Sequence, residues 1–100
     1  MMIRSIAISV NRVPIRLLDE RWDDICGYCD DVLETIERPD YIALDAEGAL
    51  VALREMANNR YLRVTYVELS SEEGYILSAS CTDRVNRRAI IWARRYQTWR

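Results

Sequence analysis

Arg54 and Arg63, with the hydroxyls of Thr65, Ser78, Ser80 and Thr82, fall in one stretch of this 100-residue chain, 49–82. These are the side chains best suited to hold a phosphate. A guanidinium presents a rigid fork of donors that matches phosphate oxygens, and a hydroxyl both donates and accepts. Cleaving RNA without a metal asks for more: a base for the 2'-hydroxyl, an acid for the leaving oxygen, and cations for the charge that develops on phosphorus. The arginines supply cations. The sequence has no histidine and no lysine, so the remaining bases are Tyr61, Glu55, Asp83 and Asp24, and spacing favours none of them. Arginine itself stays protonated and serves poorly as a base. These residues therefore suit holding a phosphate better than cleaving its ester.

Three apolar runs must position them: Ala49 to Met56, Tyr61 to Leu69 and Gly74 to Thr82, separated by Ala57-Asn58-Asn59-Arg60 and Ser70-Ser71-Glu72-Glu73. Both spacers have turn composition, so the runs predict an antiparallel meander. With four-residue loops, Arg54 falls opposite Arg63 and Arg63 opposite Ser80, while Ala52, Thr65 and Ser78 line up beside them. The other face then carries Val51, Leu53, Leu62, Val64, Tyr66, Leu77, Ala79 and Cys81 as a core. Two guanidiniums facing each other need an anion between them, either a bound phosphate or nearby acids in a surface ion network.

The chain has the size and composition of a single soluble domain: half its residues are hydrophobic and 30% are charged. Its apolar runs are too short for a membrane span, and no signal-peptide core is present, which places it in the cytoplasm. The net charge of -2 hides a segregation. Between Asp19 and Glu47 there are eleven acids and two arginines, and from Arg84 to Arg100 there are six arginines and no acid. Local patches of this kind leave a nucleic-acid partner open. Cys26 and Cys29 have C-x-x-C spacing, but only Cys81 remains as a further thiol ligand, so neither a metal nor any other cofactor is expected, and the thiols suit buried packing.

Outside the meander, Ile3 to Leu18 predicts a hairpin turning at Asn11-Arg12, with Ile6 facing Leu17, Ile8 facing Ile15 and Val10 facing Val13. A helix is expected from Asp19 along Trp22, Ile25, Cys26 and Cys29, and a second from Asp31 that buries Val32, Leu33 and Ile36 and stops before Pro39. Tyr41 to Leu44 adds a strand, joined to Ala49 by Asp45-Ala46-Glu47-Gly48. From Asp83 onward, Val85, Ala89, Trp92, Tyr96 and Trp99 recur at helical spacing among Arg84, Arg87 and Arg88, predicting a basic C-terminal helix. Its aromatics either pack on the domain or on a second copy, giving a homodimer, or stack on RNA bases. The expected architecture is an α+β two-layer domain over residues 1–92, its N-terminal hairpin and two helices packed on the meander, with a basic aromatic tail at 93–100.

Four segments together, Arg21-Trp22 with Ile25, Asp31 to Asp40, Arg60 to Val64 and Ile76 to Thr82, resemble the small toxin-like domains grouped with barnase, EndoU, colicin and RelE-like nucleases. The resemblance covers roughly Ile15 to Thr82. It implies a RelE-like fold and a metal-independent endoribonuclease toxin, neutralised by a cognate antitoxin and acting on RNA, including ribosome-associated RNA. By position it implicates Arg21, Ser78 or Ser80, and Thr82, to which the register adds Arg54 and Arg63 as catalytic groups. Thr65, Arg84, Arg87 and Arg88 join Arg21 and Ser78 as RNA-binding residues. Relatives often carry histidines where this chain has Asp24 and Cys29, so catalysis is expected to be altered or lost. The alternative is a non-catalytic protein-interaction or RNA-binding module of the same fold.

Overall fold

Alternating apolar and polar residues drive most of the chain into strands. In the computed structural model, which describes residues 2–21 and 29–94, these strands form one seven-stranded sheet. The elements are β1 (Ile3–Ile8), β2 (Pro14–Leu18), α1 (Cys29–Glu37), β3 (Tyr41–Leu44), β4 (Leu50–Glu55), β5 (Tyr61–Ser70), β6 (Glu73–Thr82) and β7 (Ile90–Ala93). Their order across the sheet is β1-β2-β6-β5-β4-β3-β7. Every pairing is antiparallel except β2 with β6, where Ile15 lies beside Gly74 and Arg16 beside Tyr75.

This arrangement corrects the expected RelE-like two-layer fold. The N-terminal hairpin extends the sheet through β2 instead of packing on it, and α1 is the one α-helix among the described residues. The first expected helix begins as a 3-10 turn at Asp19–Arg21, and its stripe of Trp22, Ile25 and Cys26 lies outside the described residues. The basic C-terminal segment is not an α-helix over its described part. It makes a 3-10 turn at Arg87–Ala89 and then becomes β7 on the open edge of β3. Ile90, Ile91 and Trp92 favour a pleated surface, and an unpaired edge beside them supplies the hydrogen bonds. Arg94 anchors the end of β7: its backbone N–H donates to the Asp40 carbonyl at 2.9 Å and its guanidinium to the Arg38 carbonyl at 2.7 Å.

Helix α1 forms as the sequence predicts. Asp30 and Asp31 sit in its first turn, where negative charge favours the helix dipole, and Pro39 prevents it from running on. Val32 and Ile36, four residues apart, are fully buried against the sheet. They join Ala7, Ile15, Leu17, Ala52, Leu62, Val64, Tyr66 and Ile76 in the main core.

Loop parity decides which side chains enter that core. Three hairpins share one frame, in which a pair of residues closes a three-residue loop whose last member has positive φ. They are Ser9 to Val13 with Arg12 at 68°, Asp45 to Ala49 with Gly48 at 86°, and Met56 to Arg60 with Asn59 at 61°. This is a common hairpin geometry, with a left-handed residue completing the turn. Each loop differs by one residue from the even-numbered loop expected, and a one-residue slip exchanges the faces of a strand. Ile6 and Ile8 therefore face Arg16 and Pro14 and stand 50% and 45% exposed, while Ala7 takes the core position opposite Ile15. Between β5 and β6 the turn is even, and the expected pairs Arg63–Ser80 and Thr65–Ser78 form. Two bulges further along this pair then place Ile76, instead of Leu77, opposite Tyr66. No helix among the described residues is long and apolar enough to cross a membrane.

Candidate functional site

The slip between β4 and β5 separates the two arginines expected to act together. Arg54 lies opposite Leu62, and Arg63 lies opposite Leu53, so the guanidiniums project from opposite faces of the sheet. Arg54 reaches under α1, its Nη1 3.3 Å from Glu34 Oε1 and 3.8 Å from Asp31 Oδ1. It ties the acidic helix to the sheet and has no place beside Arg63. The acids that compete with a phosphate for this arginine come from the helix.

Arg63 belongs to the other face, in a row that runs Tyr41, Leu53, Arg63, Ser80 across four strands. After β6 the chain doubles back over part of this face. Thr82 Oγ1 accepts the Arg84 N–H at 3.1 Å and fixes the turn, and Asn86 Oδ1 caps the next one by accepting the Arg88 N–H at 3.1 Å. Val85 and Ala89 then pack on a second apolar cluster of Ala43, Val51 and Leu53. This cover leaves a cleft of about 240 Å³ whose polar walls are Arg63, Arg84, Asn86 and Asp45. Neither Arg63 nor Arg84 has a carboxylate within ion-pair distance among the described residues. Asp45, at the cleft wall, uses Oδ1 to accept the N–H groups of Glu47 and Ala49 at 2.9 and 2.8 Å, so it serves the β3–β4 turn.

Beside the cleft is an aromatic platform. The rings of Tyr41 and Tyr61 lie 6.3 Å apart at 54°, and the Arg87 guanidinium stands 5.8 Å from the centre of the Tyr41 ring. Hydrogen bonding to Tyr41 is the main influence raising the Arg87 pKa, and arginine is cationic at any ordinary pH. An arginine stacked on a tyrosine face is also a favourable cation–π pair.

The remaining expected residues distribute unevenly. Ser78 and Ser80 are exposed on the Arg63 face, but Thr65 between them and β4 is buried. Thr82 holds the turn at Arg84. Arg88 is exposed on the covering segment, next to Arg87. Arg21 lines a separate groove with Leu18, Val67, Tyr75 and Leu77. Of the expected bases, Glu55 and Asp83 are exposed, Tyr61 belongs to the platform, and Asp24 lies outside the described residues. Tyr41, Asp45 and Asn86 contribute to the site without having been expected there. Asn86, a capping residue before Arg87-Arg88-Ala89, was the one with a readable signal. No cluster of three or more histidine, cysteine or acidic side chains suited to a metal occurs among the described residues.

No family model matches the chain, and neither the curated proteins nor the solved structures compared with it give a match. The nuclease resemblance thus rests on its own sequence segments alone.

Proposed function

We propose that this chain is a non-catalytic module that binds single-stranded RNA on the sheet face opposite α1. The observation that carries the proposal is the convergence of Arg63 and Arg84 on one cleft, unpaired with any described carboxylate, beside the Tyr41–Tyr61–Arg87 platform. Two cations on one cleft, with its wall carboxylate Asp45 outside ion-pair distance of both, favour an anion between them. Successive phosphates of a single strand meet that need, and bases can stack on the neighbouring tyrosines without sequence preference. The acidic residues of α1 occupy the opposite face, so the molecule presents its basic side to a polyanion despite a net charge of -2.

Binding is favoured over cleavage because, among the described residues, no base is placed in the cleft. Of the expected bases among the described residues, Tyr61, Glu55 and Asp83, none hydrogen-bonds to Arg63 or Ser80, and Asp45 Oδ1 is committed to its turn. The test is fluorescence anisotropy with a labelled single-stranded oligoribonucleotide of about a dozen nucleotides, within the span such surfaces cover. A duplex of equal length serves as the competitor. Saturable binding of the single strand at low salt, weakened by Tyr61→Ala and by Arg63→Ala with the RNA intact after incubation, is the expected result. Absence of binding at low salt would refute the proposal, and cleavage of the RNA would replace it with the ribonuclease function.

A further inference from the structure

We propose that the open edge of β1 is an interface through which two copies of this chain pair, strand against antiparallel strand, about a two-fold axis at Ile6. β1 ends the sheet, and no strand among the described residues lies beyond it. Seven large hydrophobic side chains stand exposed among the described residues, and four of them, Met2, Ile3, Ile6 and Ile8, belong to β1 and the residue before it. Apolar side chains gathered in solvent along a bare strand edge are what a second strand covers.

The backbone fixes where the pairing is centred. Ser9 N–H donates to the Val13 carbonyl at 2.9 Å, and bonded and non-bonded pairs alternate along an antiparallel ladder. Ala7 therefore bonds to Ile15, while the N–H and C=O groups of Ile6 and Ile8 point away from β2. The Ile8 N–H is already held by Glu37 Oε2 of α1 at 3.2 Å. That leaves Ile6 as the centre, where both backbone groups can be exchanged with those of the partner's Ile6. In this register the partner's Arg4 falls opposite Ile8, beside the Glu37 carboxylate, and the two-fold repeats the contact on the other side of the axis. Arg4 also reaches Asp19 Oδ1 at 3.4 Å, so in the pair it stands between its own Asp19 and the partner's Glu37. The acid that blunts this edge against other strands is matched by a base of the same chain, and this charge complementarity selects a second copy as the occupant.

A strand of six residues makes a small contact, so the dimer is a weak one and shows itself in concentrated protein. Sedimentation velocity of the full chain from about 10 μM to about 1 mM, the range of weak association, is expected to show monomer giving way to dimer. Because Ile6 sits on the axis, Ile6→Lys sets two like charges face to face, and Ile6→Glu does the same. Each variant alone should stay monomeric across the range, and an equimolar mixture of the two should recover the dimer, since opposite charges then meet. Ile6 is 50% exposed, so both variants keep their fold, which their urea midpoints check. A wild type that stays monomeric at the highest concentration, or a dimer that survives Ile6→Lys, would overturn the proposal. A mixture that stays monomeric would overturn the two-fold at Ile6.

Discussion

Replacing Arg63 and Arg84 with alanine should flatten the salt dependence of RNA binding, and replacing Arg54 should leave it unchanged. Each phosphate neutralised on a single strand contributes roughly 0.7 to the slope of log affinity against log salt. With Arg63, Arg84, Arg87 and Arg88 each engaging one phosphate, the slope is roughly 2.8, which predicts about a fiftyfold loss of affinity when salt rises about fourfold. The Arg63→Ala, Arg84→Ala double variant keeps two contacts. Its slope falls to roughly 1.4, and the same salt step costs about sevenfold. Arg54 is the internal control, because its guanidinium sits 3.3 Å from Glu34 on the other side of the sheet. That pair is partly exposed, so Arg54→Ala should cost stability of less than about 1 kcal/mol. Anisotropy titrations at three salt concentrations measure all three slopes. If Arg54→Ala lowers the slope as much as the double variant does, the assignment of Arg54 and Arg63 to opposite faces is wrong; a double variant with an unchanged slope would remove the cleft from the binding surface.

Other expectations concern the fold. A Cβ on Gly74 would stand 2.5 Å from Ile15 Cδ1 and 2.7 Å from the Val67 carbonyl oxygen, and the carbonyl has little room to give. Gly74→Ala should therefore cost about 1–3 kcal/mol, seen as a lower urea midpoint, and an unchanged midpoint would contradict the β2–β6 contact. Arg12 holds φ at 68°, a conformation that costs a residue with a side chain roughly 1 kcal/mol, so Arg12→Gly should raise the midpoint slightly. Tyr66 has a pKa raised above 10.0 by burial first and then by Glu68. The unfolded chain ionises near that value while the fold resists, so this contribution is complete below about pH 10 and lost as the pH climbs further, by about 1.4 kcal/mol per pH unit. Urea midpoints measured from neutral to strongly alkaline pH should show the decline in wild type and a shallower one in Tyr66→Phe. At neutral pH, Tyr66→Phe should itself stabilise the chain by about 1–3 kcal/mol, since it removes a buried hydroxyl without a partner among the described residues.

Strand positions were legible because alternation and turn composition are local signals. The β5–β6 pairs Arg63–Ser80 and Thr65–Ser78 follow from them, as does the arrest of α1 before Pro39. Facing was harder, because it depends on whether a loop holds an odd or even number of residues. Asn59 and Gly48 are both types that tolerate positive φ and marked the odd loops in retrospect, but Arg12 carried no such mark. The Arg54–Arg63 pairing failed on that single residue. The C-terminal strand was hidden by a spacing of Val85, Ala89 and Trp92 that suits a helix, and only the open edge of β3 resolves the choice. The placement of β2 beside β6 has no local signal at all, since the two strands are far apart in the chain.

That distant pairing also orders events in time. The hairpins β1–β2, β3–β4, β4–β5 and β5–β6 each close through a short turn, and such contacts form within microseconds. Joining β2 to β6 brings together Ile15 and Gly74, roughly 60 residues apart, and must overcome the entropy of closing the intervening loop before any contact rewards it. The seam between the N-terminal hairpin and the rest, together with the similarly distant β3–β7 pairing, is then expected to assemble late. During synthesis Gly74 follows Ile15 by roughly 60 residues, so until β6 is made the outer edge of β2 lacks this partner and stands open.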